Sequence, residues 1–569
     1  MSIDSDTRER LLSLLSRVYA PDTASELLER LVEMGRQFQP PRGLPGGWDE
    51  KDVLLISYGG QVVDGTRPAL QVLKEFLVSE GLPDLLSTLH ILPFYPWSSD
   101  DGFSVVDYRA VDNQLGEWED VAALRDSLHL MFDLVLNHCS SRSAWFQQYL
   151  QGRLPGLEFF IEADPGADFS QVVRPRGTPL LSPVETSRGR RHVWTTFSED
   201  QIDFDFSRPQ VLLEMLSVLL FYIQQGARII RLDAVAFLWK EMGTSCLNLP
   251  QTHALVKLMR SLVDALAPGV LLITETNLPH EQNLSYFGEG DEAHMIYQFS
   301  LPPLILDAFI NQDARPLIEW TGGLEDPPAG SAFLNFTASH DGIGVRPLEG
   351  LVRPERLDAL VKAAQARGGL VSLRRGPDGR EIPYELNLTY RDALRDPSLS
   401  PELEVRRFLS SQALMLAMKG MPAVYFHSLT GTPNDLEGYR RAGIKRRINR
   451  HTYRLEELRR VVSQPEPQRT IYRGYRRLLA TRRRQPAFHP DAGQRLWPFS
   501  RGSLYGVERM AYAASQRVLC LVNFSSRVQV LKACGLGGDY RRELISGKEV
   551  GAQVRLEPCQ TLWLEELQP

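Results

Sequence analysis

Short apolar runs alternate with longer segments of helical periodicity from about residue 52 to residue 486. Eight of these runs have the length of strands buried on both faces, which read as continuous rather than alternating apolar stretches. The runs are Asp52–Tyr58, Leu89–Phe94, Leu130–His138, Arg228–Val235, Gly269–Thr276, Met295–Phe299, Phe333–Asp341 and Gly420–Phe426. Eight strands separated by helices predict an α/β fold, a (β/α)8 TIM barrel with right-handed crossovers.

The alternation lapses twice inside the predicted barrel and gives way to a different pattern at each end of the chain. Both lapses contain many Pro, Gly and Arg residues, which favours subdomains inserted after strands 3 and 7. The chain begins with helical periodicity broken at Pro21 and finishes with short β-type runs. The predicted parts are an N-terminal helical extension with a linker (1–47), a barrel in three pieces (48–139, 192–341 and 406–486), two inserted subdomains (140–191 and 342–405) and a C-terminal antiparallel β-domain (487–569).

Composition and charge narrow the class of protein. A formal net charge of −6 over 569 residues argues against a nucleic-acid partner, because such domains are strongly basic. Five scattered cysteines without a C-x-x-C pair favour neither a disulfide framework nor a zinc site, and they suit a reducing compartment. The polar N-terminus shows no signal peptide and no run is long enough for a bilayer. We therefore expect a cytoplasmic monomer or homodimer with no membrane partner.

Polar groups follow four of the predicted strands, at the end where TIM barrels keep their chemistry. Asp233 ends the fourth run and Glu275 the fifth, while Asn137-His138 ends the third and His340-Asp341 the seventh. A single such aspartate would be read as a helix N-cap or as an ion-pair partner of Arg231. Four strand ends of this kind at one face favour a functional site instead.

The pair Asp233 and Glu275 suits a double displacement on a glycoside with retention of configuration. One carboxyl group must be ionised to act as nucleophile, and the other must be protonated by a raised pKa to serve the leaving oxygen. Asp341 could hold sugar hydroxyls and stabilise positive charge at the anomeric carbon. His138 and His340 could donate hydrogen bonds as neutral groups without any metal, although either one alone could equally be a structural histidine.

The same strand ends resemble the four signature regions of the α-amylase superfamily. Those stretches are Asp133–His138, Arg231–Val235, Glu275–Asn277 and Ala338–Asp341. The longer stretches Arg231–His253 and His340–Val345 are similar to the sucrose-phosphorylase branch. The resemblance implies Asp233 as nucleophile, Glu275 as general acid/base and Asp341 as stabiliser of the transition state, with Arg231 orienting Asp233.

Further site residues are implied by this resemblance. Glucose-binding positions of the branch match Asp100, Phe103, His138, Phe197, Gln201, Arg231, His340 and Arg446. Asp101 stands directly beside Asp100 and competes with it for that role. Arg176 matches a loop arginine that contacts phosphate, and arginine suits phosphate through its bidentate fork. The cluster Arg374, Arg375 and Arg380 is read individually as solvated loop charge.

The acceptor positions depart from the sucrose-phosphorylase pattern. Val173 replaces a tyrosine, and Tyr384-Glu385 stands where that enzyme has tyrosine followed by glutamine, so Tyr384 and Glu385 are assigned to the acceptor or phosphate. The leading helices and the loop Pro377–Gly379 resemble the glucosylglycerate phosphorylases. This implies reversible phosphorolysis of 2-O-α-glucosylglycerate to α-glucose 1-phosphate and glycerate.

The sequence is also compatible with other functions. Within the branch they are a sucrose 6-phosphate, sucrose or glucosylglycerol phosphorylase, and outside it a hydrolase or transglucosidase of the same fold. A non-catalytic binding module is disfavoured because all three acids are present. No cofactor or metal is implied: the small-molecule partners are an α-glucoside and inorganic phosphate, and no carboxylate cluster for calcium accompanies Asn137 in the first insertion.

Overall fold

The computed structural model describes residues 3–41, 43–375, 380–499, 501–512 and 515–566, with the backbone alone at Arg375. Within those residues, eight parallel strands close a barrel in sequential order. They are β1 (Leu54–Tyr58), β2 (Thr88–Leu92), β3 (His129–Val135), β4 (Ala227–Asp233), β5 (Leu271–Thr274), β6 (Met295–Tyr297), β7 (Ala332–Asn335) and β8 (Met421–Tyr425). Leu54 lies opposite both Thr88 of β2 and Ala423 of β8, so β1 completes the ring. The predicted (β/α)8 barrel is confirmed.

The strands are shorter than the apolar runs that predicted them. Strand β5 stops at Thr274, opposite Leu232, and β7 stops at Asn335. Glu275 directly follows β5, and its N–H still donates to the Leu232 carbonyl of β4 at 3.1 Å. His340 and Asp341 lie in the loop that follows β7. This edge is the carboxyl end of the barrel, the face on which TIM barrels build their sites.

Helices surround the barrel and connect its strands. In chain order they are Ala69–Ser79, Trp118–Arg125, Pro209–Gln224, Pro250–Leu266, His280–Leu284, Leu301–Asn311, Arg315–Gly322, Pro401–Ala417, Phe426–Thr430, Leu436–Ala442, Leu455–Ser463 and Pro467–Arg482. Several begin with proline, which has no N–H to lose in the first turn. The helix before β8 begins at Pro401, where the Ser400 side chain accepts from Leu403 N, so the expected insertion boundary at 405 falls inside it.

Two N-terminal helices, Ser5–Leu15 and Pro21–Gln37, lie against the outside of the barrel. Leu11 and Leu31 are fully buried in the same apolar core as the barrel helices. The Tyr19 hydroxyl donates to the Phe206 carbonyl over 2.7 Å. The helical extension is thus continuous with the main core.

The first insertion contains the helix Ala144–Leu150 and a β-hairpin of Leu181–Thr186 with Gly189–Trp194. A short strand His138–Ser140 directly after β3 pairs with Gln201–Asp203. The hairpin continues past the predicted end of the insertion at residue 191, because Trp194 still pairs with Leu181. These elements form one wall above the barrel.

The second insertion forms the opposite wall. It contains the helices Pro354–Ala366 and Tyr390–Ala393 and a hairpin of Leu370–Arg375 with Glu381–Asn387. The short strand Ile343–Gly344 pairs with the second hairpin strand and ties it to the carboxyl edge of the barrel. Pro377, Asp378 and Gly379 lie outside the described residues, as does the Arg375 side chain.

The C-terminal part is an antiparallel β-domain. Its main sheet has, in spatial order, the strands Gly493–Leu496, Leu504–Met510, Arg517–Asn523, Thr561–Glu566 and Tyr540–Glu543, and Gln529–Lys532 pairs with Gln553–Leu556. The remaining short pair is Val62–Val63 with Tyr453–Arg454. The Thr561 and Ser410 hydroxyls, 2.5 Å apart, join this sheet to the helix that precedes β8. Across the described ranges, no helix combines the length and apolar character needed to cross a membrane.

Candidate active site

A pocket opens at the carboxyl edge of the barrel, between the two inserted walls. It encloses about 640 Å³ of space including its open mouth. Its lining residues are Asp100, Phe103, His138, Pro175, Arg176, Phe197, Gln201, Arg231, Asp233, Ala234, Phe237, Glu275, Thr276, Asn277, His340, Asp341, Tyr384 and Arg446. The structure thus brings together every site residue expected from the sequence except Glu385.

Arg231 holds Asp233 at the bottom of the pocket. Its Nη1 lies 2.5 Å from Asp233 Oδ1 and 2.5 Å from Asp133 Oδ1 on the neighbouring strand β3. The other oxygen of Asp133 contacts His90 Nε2 at 2.7 Å. All four side chains are buried, so Arg231 is fixed from behind and presents its charge to Asp233.

Glu275 has different partners, although it belongs to the same pocket. Its Oε2 accepts from the Ala234 N–H at 3.1 Å, while the nearest Arg231 nitrogen is 3.9 Å away. Ala234 adopts φ 50°, so the chain turns sharply directly after Asp233. Burial raises the pKa of both carboxyl groups, and the charge of Glu275 also raises that of Asp233. Since Arg231 touches Asp233 directly, we assign the charge to Asp233 and the proton to Glu275.

Asp341 faces them from the end of β7 and is surrounded by cationic groups. Arg446 Nη1 lies 2.7 Å from its Oδ1, and Arg450 Nη2 lies 3.7 Å from the same atom. Burial acts to raise the pKa of Asp341, but Arg446, His340 and Arg450 more than offset it, and the pKa is lowered. Asp341 is therefore a fixed negative charge at neutral pH.

Glu385 does not line the pocket and both of its oxygens are taken by protein donors, which corrects the expectation that it binds the acceptor. Its Oε1 accepts from the Gly342 N–H at 2.7 Å and lies 3.1 Å from Arg446 Nη2. Its side chain is buried, with Asn387 donating to Oε2 at 3.1 Å. The reason is the pairing of Gly344 with Glu385, which turns this side chain toward Arg446 instead of the cavity.

Aromatic and neutral polar groups form the inner wall. The Phe103 ring stacks on His340 with centroids 4.8 Å apart. His138 Nε2 contacts the Phe103 carbonyl at 2.9 Å and Gln201 Nε2 at 3.1 Å. Burial lowers the pKa of His138 to about 4 and that of His340 to about 3, so both rings are neutral at pH 7. This inner wall can donate and accept hydrogen bonds without adding charge.

The structure separates the neighbouring aspartates that the sequence left ambiguous. Asp100 lines the pocket, where its Oδ2 accepts from Arg176 Nη2 at 2.9 Å and from Gln201 Nε2 at 3.5 Å. Asp101 faces away and contacts Arg447 and Arg450, each at 2.6 Å. Both residues have positive φ, 53° and 51°, and this loop conformation sends the two carboxylates to opposite sides.

The outer part of the pocket is built by the insertions. Arg176 lies over the Phe197 ring at 5.5 Å, and Asn277 Nδ2 donates to the Tyr384 hydroxyl at 3.0 Å. Val173 is not among the lining residues. Sequence reasoning assigned no role to Phe237, Thr276 or Asn277, although Asn277 belongs to the signature stretch after β5 and could have been found there.

Asn137 has a lysine as its cationic neighbour. Lys240 Nζ lies 2.6 Å from Asn137 Oδ1 and 2.7 Å from Asp203 Oδ2. An ammonium group thus satisfies both oxygens. Over the described part of the chain, no group of three or more His, Cys, Asp or Glu residues is arranged to hold a metal ion.

Comparison with known proteins agrees with this architecture. Residues 86–319 match the family model for the alpha amylase catalytic domain. A crystal structure of sucrose 6F-phosphate phosphorylase from Thermoanaerobacter thermosaccharolyticum superposes with TM-score 0.73 at 25% identity, covering 85% of this chain and 96% of that one. Fold and site together define an α-amylase-type barrel enzyme.

Relatives narrow the class further. A glucosylglycerate phosphorylase of Allomeiothermus silvanus is 45% identical over 99% of both chains, and one of Escherichia coli K12 is 42% identical over 98% of this chain and 100% of that one. A sucrose phosphorylase of Agrobacterium vitis is more distant, at 32% identity over 77% of this chain and 89% of the relative. The chain belongs to the glucosylglycerate phosphorylase family.

Proposed function

We propose that this protein catalyses the reversible phosphorolysis of 2-O-α-glucosylglycerate to α-glucose 1-phosphate and glycerate, with retention of configuration. The proposal rests mainly on the different surroundings of two carboxyl groups, Asp233 and Glu275, at the carboxyl edge of the barrel. Asp233 contacts Arg231 directly, whereas Glu275 accepts a backbone N–H and lies farther from that charge. One ionised and one protonated carboxyl group in one pocket is what a retaining double displacement requires.

In the first step, an Asp233 oxygen attacks C1 of the glucosyl group. The bond from C1 to the glycerate oxygen breaks, and Glu275 gives its proton to that oxygen. Positive charge that develops at C1 is stabilised by Asp341, which Arg446 and Arg450 keep ionised. The product of this step is a β-glucosyl ester of Asp233.

In the second step, a phosphate oxygen attacks C1 and the ester bond to Asp233 breaks. Glu275, now a carboxylate, takes the proton from the attacking phosphate. Arg176 supports phosphate rather than water as the acceptor, because its guanidinium is at the outer part of the pocket and about a third exposed. Two inversions at C1 return the α configuration.

The glucosyl group is proposed to bind against the inner wall, beside the charged groups of Asp100 and Arg446. Asp100 and Arg446 are placed to accept from and donate to sugar hydroxyls, while the Phe103 ring offers an apolar face. Neutral His138 and His340 supply further hydrogen bonds without disturbing the charge pattern. Phe197, Gln201 and Tyr384 complete the pocket. This inner wall suits a single glucosyl group rather than a long polysaccharide.

An acceptor screen in the synthetic direction tests this proposal. The enzyme is given α-glucose 1-phosphate with glycerate, glycerol, fructose or fructose 6-phosphate, and phosphate release is measured. A preference for glycerate supports the proposed substrate, whereas a preference for fructose or its phosphate assigns the protein to a sucrose-type specificity. Release of free glucose at the same rate without any acceptor would make it a hydrolase and overturn the phosphorylase proposal.

Inorganic phosphate is a substrate in this proposal, and the chemistry draws on side chains without a cofactor. We propose the cytoplasm as the compartment, supported by five free thiols of which four are buried. Monomer and homodimer remain alternatives that light scattering would separate.

A further inference from the structure

Arg346 follows the short strand that pairs with the segment Glu385–Leu386, and it has no role in the mechanism above. The strand Ile343–Gly344 that precedes it pairs with Leu386 and Glu385. Val345 N then donates to the Tyr384 carbonyl at 3.0 Å, and Arg346 begins a short 3-10 helix. The backbone therefore places Arg346 next to the strand that carries Tyr384, and the two side chains are close enough to interact electrostatically.

The guanidinium of Arg346 is unusually poor in partners for a mostly covered group. Its Nε is buried and has no hydrogen-bond partner among the described residues, and none of them forms an ion pair with it. The nearby charged and titratable groups are Arg374, Glu349 and Tyr384. Glu349 forms its ion pair with Arg374, and its charge raises the pKa of Arg346 by less than burial and Arg374 lower it. Burial and the charge of Arg374 lower the pKa of Arg346.

A second unpaired atom lies on the same side of the pocket. Asn277 Nδ2 donates to the Tyr384 hydroxyl at 3.0 Å, but its Oδ1 is buried without a partner in the described ranges. A Cβ at Gly344 would lie 3.1 Å from that Oδ1, so the backbone two residues before Arg346 approaches Asn277 closely. A buried donor and a buried acceptor are both costly to leave unpaired. A ligand that carries both an anion and a hydroxyl group would satisfy them together.

We propose that Arg346 binds the carboxylate of the acceptor, while Asn277 Oδ1 accepts a hydrogen bond from a hydroxyl of the same molecule. This inference rests on the proposed function and deepens it, because it assigns the specificity for a hydroxy acid to a named residue. A guanidinium can make two parallel hydrogen bonds to a carboxylate, which a neutral polyol cannot accept in the same way. Arg346 is then a specificity residue of the acceptor site, separate from the catalytic carboxyl groups.

The test compares two reactions of the same glucosyl-enzyme in Arg346→Gln and the wild type. One is transfer from α-glucose 1-phosphate to glycerate, and the other is exchange of radiolabelled phosphate into α-glucose 1-phosphate, which needs no acceptor acid. We expect kcat/KM for glycerate to fall about 10- to 100-fold relative to exchange, mainly through KM. Arg346→Lys should fall less, because it keeps the charge but loses the fork. Arg353→Gln, an exposed arginine on the same segment, is the matched control and should change neither reaction.

The outcomes separate this inference from the proposed function. A wild type that exchanges phosphate but does not transfer to glycerate would overturn the proposed substrate. A wild type that transfers to glycerate while Arg346→Gln loses nothing would overturn the role of Arg346. An equal loss in both reactions, or a greater loss in exchange, would overturn it too, since Arg346 would then serve phosphate or the fold. Thermal melting of each variant shows whether a loss reflects unfolding.

Discussion

Asp233 and Glu275 are both largely buried, but they contact different polar groups. Asp233 ends β4 opposite Val135, and Asp133 lies opposite Arg231 on the same pair of strands. Both aspartates contact Arg231, which their charges hold in place. Glu275 is offset by one position beyond β5 and finds the Ala234 N–H instead. In the proposed mechanism, this single buried guanidinium decides which carboxyl group is the nucleophile and which one carries the proton.

The proposed role of Glu275 as proton donor predicts that its substitution lowers the rate by an amount that depends on the leaving group. Glu275→Gln should lower kcat on glucosylglycerate by about 10²- to 10⁴-fold. Glucosyl fluoride should be much less affected, because fluoride departs without a proton. Because burial raises the pKa of Glu275, the wild-type rate should persist to higher pH and fall as this proton is lost, and the variant should lack that basic limb.

Initial rates from pH 5 to 9 with both substrates measure this. Glu281→Gln, an exposed glutamate on the same segment, serves as the control and should behave as wild type. Equal losses on both substrates, or a basic limb that survives in Glu275→Gln, would assign the proton transfer to another group.

The buried position of Glu385 beside Arg446 predicts that its substitution lowers the turnover rate. Glu385→Gln keeps the shape but removes the charge that, with Asp341, holds Arg446. We expect kcat to fall about 10-fold, on the scale of one charge-assisted hydrogen bond, with the order of preference among acceptors unchanged. The measurement is kcat and KM with each acceptor, with Tyr384→Phe as the contrasting variant at the pocket surface. A change in acceptor preference in Glu385→Gln would restore the direct acceptor role that the sequence suggested.

At the scale of elements, the conformation of the loop after β2 directs one aspartate into the pocket and its neighbour toward structural arginines. Asp100 and Asp101 both have positive φ, an uncommon conformation outside glycine. The loop turns Asp100 into the pocket and Asp101 toward Arg447 and Arg450. Arg450 is buried and its Nε also donates to the His340 carbonyl at 2.7 Å, so this side of the loop braces the catalytic edge.

Substitution of the two aspartates should therefore have opposite effects. Asp101→Ala leaves Arg450 buried without its carboxylate and should lower the free energy of unfolding by about 3–5 kcal/mol. Asp100→Ala should abolish glucosyl transfer while changing that free energy by less than about 1 kcal/mol, because Arg176 is partly exposed and can be solvated. Denaturant unfolding and transfer rates on both variants measure this. If Asp100→Ala were the less stable of the two variants, Asp100 and not Asp101 would be the aspartate that stabilises the fold.

The sequence predicts those elements whose signal is local. Buried parallel strands are continuous apolar runs, so all eight barrel strands could be found and the polar groups at their ends with them. Glu385 could not be placed, because its environment depends on a hairpin pairing with Gly344 across the pocket edge. In the C-terminal domain the strands Gly493–Leu496, Tyr540–Glu543 and Gln553–Leu556 are not predicted, because each has only four residues and carries an exposed arginine.

At the scale of the whole molecule, one continuous core joins parts that the sequence divides. Buried residues of the N-terminal helices, of the barrel and of the C-terminal sheet, such as Leu31, Ile230 and Trp563, belong to one apolar cluster. A smaller cluster around Leu519 and Leu564 fills the other face of the C-terminal sheet. Shared burial of this kind couples the stability of the extension to that of the barrel.

Leu31→Ala tests that coupling without touching the pocket. Leu31 is fully buried, and removal of its side chain should lower the free energy of unfolding by about 2–5 kcal/mol through lost burial and the cavity left behind. If the extension and the barrel unfold as one unit, calorimetry should show a single transition displaced to lower temperature, with kcat unchanged below it. Arg30→Ala, an exposed neighbour on the same helix, should leave the transition in place. A barrel transition that stays at the wild-type temperature while a separate, earlier one appears would instead make the helical pair an independent unit, and its removal would then spare the enzyme.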